Sequence, residues 1–263
     1  MNTRRRRFAG AAASVVLLAA PPCHAFAAPV IAIDGSSISI RLDDGSQLAS
    51  PKLVGAVLSV ATTSGTARLR IDAVDEIVTA SGPLFLHQFS IEKDGTWQPY
   101  CEADAKGGRG AFPIAGRSTP DGDFDAQASG IEIACTSGAL GKCLQMGYLP
   151  WVETPRAPTR ALYRACLRMI RADYCGDGRS WTQAGVSIDV SDRFGLQKPD
   201  PSSTMPLEAA WSPQGAVCLQ HVRVPALGSL EDILRNCPRL AGKVGQSCDT
   251  SSADLFDNSA SAP

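Results

Sequence analysis

Hydrophobic and polar residues alternate along the first third of the chain. The clearest alternating runs cover residues 37–42, 67–71 and 85–91, and Asp-Gly or Ser-Gly pairs lie beside them. Strict alternation is typical of half-buried strands, and such pairs favour hairpin turns. Residues 28–100 are therefore predicted to form an antiparallel β-meander.

A helical period begins at residue 159. Apolar residues recur there at spacings of three and four, which predicts an amphipathic helix. A strand is expected before it at residues 131–135, and alternation at 186–190 predicts another after it. The fold class that follows is a β-rich α+β protein with one main helix. The apolar stripe consists of Leu162, Ala165, Cys166, Met169 and Ile170.

The opposite face of this helix is basic. Arg160, Arg164, Arg168 and Arg171 lie along one stripe, and the helix contains no acidic residue four positions away to neutralise them. A solvated face is the simpler interpretation. Unpaired guanidinium groups also bind carboxylate, sulfate or phosphate, so the stripe is a candidate anion site.

The N-terminus has the pattern of an export signal. Arg4–Arg7 are followed by an apolar run over residues 8–20 and by small residues at Ala25 and Ala27. Residues 1–27 are therefore expected to be a signal peptide, with either the general secretory or the twin-arginine route open. The mature chain, which has no other apolar run long enough to span a bilayer, is expected in the periplasm or outside the cell.

Cysteine usage agrees with export. Eight cysteines follow the leader, an even number that predicts disulfides in an oxidising compartment, although spacing does not fix their pairing. All lie in the region 101–250, which is expected to be a disulfide-stapled domain followed by a disordered tail at 251–263. No Cys-x-x-Cys occurs, so neither a zinc site nor any other cofactor is predicted. The cysteines are Cys101, Cys135, Cys143, Cys166, Cys175, Cys218, Cys237 and Cys248.

Composition narrows the class of function. The 263 residues are 44% hydrophobic and 19% charged, enough for a sizeable core, and the formal charge of −1 lacks the basic footprint of a nucleic-acid binder. No P-loop, Gly-x-Ser-x-Gly, His-Glu-x-x-His or Gly-x-Gly-x-x-Gly motif occurs. The buried-face position of His87 in its predicted strand favours a core residue over a catalytic one.

Several runs in the back of the chain resemble the ADYC domain of exported bacterial proteins. The resemblance implies export, disulfides and a shared core, and it implies no particular reaction. The motifs that carry it are Gly138–Cys143, Gly147-Tyr148-x-Pro150-Trp151, Ala165–Gly178, Ile188–Asp192, Glu208–Trp211 and Gly215–Cys218.

The segment 173–178 is open to two interpretations, the first of which is a structural hinge. Gly176 and Gly178 suit a sharp turn from helix to strand, in which Asp173 and Asp177 would accept backbone N–H groups or pair with arginines. Alternatively, Asp173 and Asp177 could act with Asp189 and Asp192 as acid and base for hydrolysis of a polysaccharide. The first interpretation predicts a binding or structural module for an envelope or extracellular ligand, and the second predicts an envelope hydrolase.

Overall fold

The computed structural model describes residues 30–62, 65–152, 157–245 and 248–260, and the expected signal peptide at 1–27 lies outside these ranges. The described residues form antiparallel sheets and three α-helices, so the predicted β-rich α+β class is confirmed. None of these helices combines the length and apolar character that crossing a bilayer requires.

The alternating front of the chain forms antiparallel strands, as predicted. The first three strands make a small sheet in the order β1-β2-β3, and the long hairpin of β5 and β6 is the centre of a larger one. These strands are β1 (Val30–Asp34), β2 (Ser37–Arg41), β3 (Gln47–Ala49), β4 (Val57–Thr62), β5 (Gly65–Thr79), β6 (Gly82–Lys93) and β7 (Thr96–Pro99).

The larger sheet crosses the boundary that the sequence suggested at residue 100. Strand β8 (Gly110–Ala115) pairs with β6, where Ala111 lies opposite His87, and β11 (Ile131–Cys135) pairs with β8. A disulfide also joins Cys101 to Cys135 at the end of β11. The front and back of the chain therefore share one six-stranded sheet.

The main helix α2 (Thr159–Arg171) has the predicted extent and buries the predicted apolar face. A disulfide between Cys143 and Cys166 ties it to α1 (Ala139–Gln145). Its other neighbour is a four-stranded sheet in the order β12-β15-β13-β14. The remaining elements are β9 (Arg117–Ser118), β10 (Phe124–Asp125), β12 (Asp189–Asp192), β13 (Leu207–Ser212), β14 (Gly215–Leu219), α3 (Leu230–Asn236) and β15 (Leu255–Asn258).

The expected disordered tail is wrong for residues 251–260. Strand β15 lies inside the four-stranded sheet, paired with β12 on one side and β13 on the other. Its side chains Leu255 and Asp257 are fully buried. The small and polar residues of this segment did not predict a strand, because the burial of β15 depends on partners far away in the sequence.

His87 is a core residue, in line with its strand position. Its ring is fully buried and stacks on Phe89, and its Nδ1 donates to the Phe85 carbonyl at 3.1 Å. Because a carbonyl oxygen only accepts, Nε2 of the neutral ring accepts from the buried Ser50 hydroxyl at 2.9 Å. Ser50 in turn accepts the backbone N–H of Ile38, so this pair joins β6 to β2.

Burial makes His87 a source of acid sensitivity. Desolvation lowers the pKa of His87 from 6.5 to about 4, so between these values the unfolded chain binds a proton that the folded chain excludes. Stability therefore falls as pH drops through this window. We expect the wild-type protein to lose roughly 2–3 kcal/mol more than His87→Gln between pH 7 and pH 4.5 in urea unfolding. Equal losses in the two proteins would contradict this assignment.

Candidate functional site

The chain turns sharply at the end of α2. Ala172 has a φ of 49°, the left-handed conformation that ends many helices, and its N–H donates to the Arg168 and Met169 carbonyls. Gly176 and Gly178 follow with φ of 73° and 89°. A Cβ at either glycine would overlap neighbouring backbone, so glycine is required there, as the hinge interpretation expects.

Asp173 organises this turn from inside. Its side chain has no exposed surface, yet both carboxylate oxygens are fully used. The buried Arg168 donates to Oδ2 at 2.8 Å and gives the carboxylate a neutralising charge. Three consecutive backbone N–H groups complete the set at 2.8 to 3.1 Å, from Gly176, Asp177 and Gly178.

Tyr174 leads from the turn into a second buried group of polar residues, here called the Arg223 network. The Tyr174 hydroxyl donates to Glu208 at 2.9 Å and accepts the backbone N–H of Arg223. Arg223 bonds Glu208 at 2.8 Å and Asp257 at 2.6 Å, and Trp211 also donates to Asp257. These five residues, contributed in part by β13 and β15, are all fully buried.

The Arg223 network places two acids and one guanidinium in contact inside the protein. Burial, together with the negative charge of Glu208, raises the pKa of Asp257 well above its ordinary value. Burial opposes the charge of Arg223, but Asp257 and Glu208 outweigh that effect and raise its pKa. A low-dielectric interior tolerates such groups when they are paired and hydrogen-bonded, as Glu208, Arg223 and Asp257 are here.

The disulfides differ from the sequence expectation at one pair. Cys101–Cys135, Cys143–Cys166 and Cys218–Cys248 are bonded, whereas Cys175 and Cys237 are thiols. The two thiols are neighbours: burial raises the pKa of Cys175, and a hydrogen bond from the Cys175 thiol to the Cys237 side chain raises it further. The hinge is therefore tied to the end of α3 by a contact between thiols.

The arginine stripe is not an open anion site along its length. Arg164 pairs with Asp123 at 2.7 Å through Nε, and Arg168 lies 3.4 Å from both Asp121 and Asp123 besides its contact with Asp173. The loop 119–125 thus supplies the anions. A solvated face is also wrong for Arg168, because its side chain is only 2% exposed.

The two ends of the stripe donate to backbone carbonyls. Arg160 is exposed and donates from Nε to the Pro150 carbonyl at 3.3 Å. Arg171 donates to the Gly122 carbonyl at 3.1 Å. Arg160 and Arg164 line a cavity of about 340 Å³ together with Asp121 and Asp123, so acids and bases are mixed in that space.

The four aspartates proposed for catalysis occupy separate places. Asp173 is buried in the turn, while Asp177 is exposed and accepts the Arg179 N–H at 3.0 Å. Asp189 and Asp192 are the first and last residues of β12, positions that face opposite sides of a strand. Each of these two also accepts backbone N–H groups of the loop 194–200. Their contacts are those of turn-stabilising residues.

A cavity of about 430 Å³ lies beside α1 and the last turn of α2, and we call it the α1–α2 cavity. Its basic lining residues include Lys142 and Arg171, and none of the four aspartates lines it. The segment 180–188, which follows the hinge, closes another side. The hinge therefore shapes a wall of this cavity while its own carboxylate stays inside the protein.

Sequence reasoning missed most of the partners. Asp121 and Asp123 lie in a loop without periodicity, and Asp257 lies in a segment expected to be disordered. Glu208 belongs to a motif that carried the family resemblance. The sequence therefore marked this residue, but it did not predict its contact with Arg223. The sequence contained one indication of the remaining acidic partners. Helix α2 carries several arginines beside an apolar face that must be buried, so acids from elsewhere in the chain are needed to pair with them.

Fold and site together define a disulfide-stapled α+β protein built around a buried turn. The family model of the ADYC domain matches residues 50–225, which is more than half of the chain, and the protein belongs to that family. The match begins before the region expected from the motifs and includes most of the large sheet. No curated protein and no solved structure matches the chain.

Asp173 is expected to govern stability, and Asp177 is the matched control one turn away. Asp173→Asn removes the nearest carboxylate from the buried Arg168 guanidinium, so it should lower the free energy of unfolding by about 3–5 kcal/mol. Asp177→Asn removes an exposed contact and should change it by less than about 1 kcal/mol. Urea unfolding of both variants checks this, and similar effects of the two would contradict it.

The neighbouring thiols are expected to form the fourth disulfide in an oxidising compartment, because they are the remaining pair. Alkylation of the denatured, unreduced mature protein followed by mass measurement should then show no label. Cys175→Ser provides the positive control, with one label on Cys237. Two labels on the wild-type protein, at Cys175 and Cys237, would show that the pair stays reduced.

Proposed function

We propose that this protein is an exported binding module of the bacterial envelope or the extracellular space. The leader pattern at residues 1–27 supports export, and disulfides persist in compartments outside the reducing cytosol. In this proposal the hinge at residues 173–178 has a structural role and does not contact the ligand. The ligand occupies a cavity beside that hinge.

The lining of the α1–α2 cavity is the observation that carries this proposal. Lys142, Arg171, Ser137 and Thr182 offer hydrogen-bond donors around a space of about 430 Å³, within the usual size range of ligand pockets. The lining residues that belong to the described ranges include no Asp or Glu. Hydrolysis of a glycosidic bond requires a pair of carboxylates facing one substrate, so this lining favours binding over that reaction.

Export is tested by expressing the full chain with a C-terminal tag in a bacterial host and fractionating the cells. We expect the periplasmic or secreted fraction to hold a protein whose mass corresponds to cleavage after Ala27. A version lacking residues 2–27 serves as the cytoplasmic control, and Arg5→Lys with Arg6→Lys distinguishes the twin-arginine route from the general one. Uncleaved protein in the cytoplasm would contradict export.

A further inference from the structure

The α1–α2 cavity carries charge of one sign. Its charged lining residues are Lys142, Arg171 and Arg223, and the carboxylates of the Arg223 network already neutralise the last of these. Among the residues that the structure describes, Lys142 has no ion-pair partner. The contact of Arg171 is with the uncharged Gly122 carbonyl. Lys142 and Arg171 are thus basic residues of the lining that pair with no carboxylate in the described part of the chain.

The rest of the lining divides into donors and apolar surface. Within the described part of the chain, the hydroxyls of Ser137 and Thr182 have no hydrogen-bond partner, and both residues are half-buried. Ile170 and Ile188 line the same cavity and pack against the main core. A ligand that suits this lining has an anionic group and an apolar body.

We propose that the α1–α2 cavity binds a small organic anion whose carboxylate or phosphate group pairs with Lys142 and Arg171. The apolar part of the ligand contacts Ile170 and Ile188, and the hydroxyls of Ser137 and Thr182 donate to the anionic group. This inference rests on the proposed binding function and names its ligand class. Charge-assisted hydrogen bonds of this kind are the strongest that side chains form, which favours an anion over a neutral analogue.

Three probes test the charge requirement: phenylbutyrate, phenyl phosphate and the neutral phenylbutanol, whose apolar part is close in size to that of phenylbutyrate. NMR spectra of the isoleucine methyl groups report whether a probe enters the cavity, because Ile170 and Ile188 line it. We expect phenylbutyrate or phenyl phosphate to shift these signals with an affinity at least about tenfold above that of phenylbutanol. Added salt should weaken binding of the anion and leave that of the alcohol unchanged. Inorganic phosphate, as a fourth probe, shows whether the anionic group binds without an apolar body.

Lys142→Gln is the test variant, and Lys93→Gln, an exposed lysine at the end of β6, is the control of equal charge change. The first should weaken anion binding about tenfold, and the second should leave it unchanged. Equal binding of the anions and the alcohol at the isoleucines overturns the anion inference but leaves the binding function in place. If no probe shifts the signals of Ile170 and Ile188, both the anion inference and the binding function are overturned. The same holds if the probes shift only the signals of other isoleucines. An unchanged affinity in Lys142→Gln overturns the assignment of the charge.

Discussion

A carboxylate without exposed surface, that of Asp173, determines how the chain leaves its main helix. The turn places three backbone N–H groups around one anion, and the Arg168 guanidinium supplies the opposite charge from one turn earlier in the helix. Without Arg168 the buried Asp173 carboxylate would lose its guanidinium, and without Asp173 the guanidinium would keep only the more distant Asp121 and Asp123. The direction of the segment 180–188, and with it a wall of the α1–α2 cavity, follows from this pair.

The Arg223 network extends the same constraint to the rest of the domain. Tyr174, one residue after Asp173, bonds both Glu208 and the backbone of Arg223, which in turn bonds the carbonyl of Met169 in α2. Asp257 lies in β15, near the end of the described chain, and its bond to Arg223 links that strand to the network. Helix, turn and four-stranded sheet are thus joined through buried polar contacts, which permit fewer alternative arrangements than apolar contacts alone because each requires a particular partner.

Local patterns predicted the elements whose stabilising contacts are local or periodic. The bounds of α2 and β11 follow from apolar spacing, and the turn at Gly176 and Gly178 follows from the need for positive φ. The pairing of Arg164 and Arg168 with Asp121 and Asp123 could not be predicted, because more than forty residues separate these partners and no period links them. Strand β15 was missed for the same reason. Asp177 was predicted to stabilise the turn equally with Asp173, but only burial distinguishes the two, and burial is a property of the whole fold.

The central claim is that Asp173 and Arg168 act as one structural pair, and a double-mutant cycle tests it most directly. The free energy of unfolding is measured for the wild type, Arg168→Met, Asp173→Asn and the double variant. If the pair is coupled, the double variant loses less than the sum of the single losses, by at least about 1–3 kcal/mol. Losses that add to within about 0.5 kcal/mol would contradict the account, since they would mean that the two residues stabilise the protein independently.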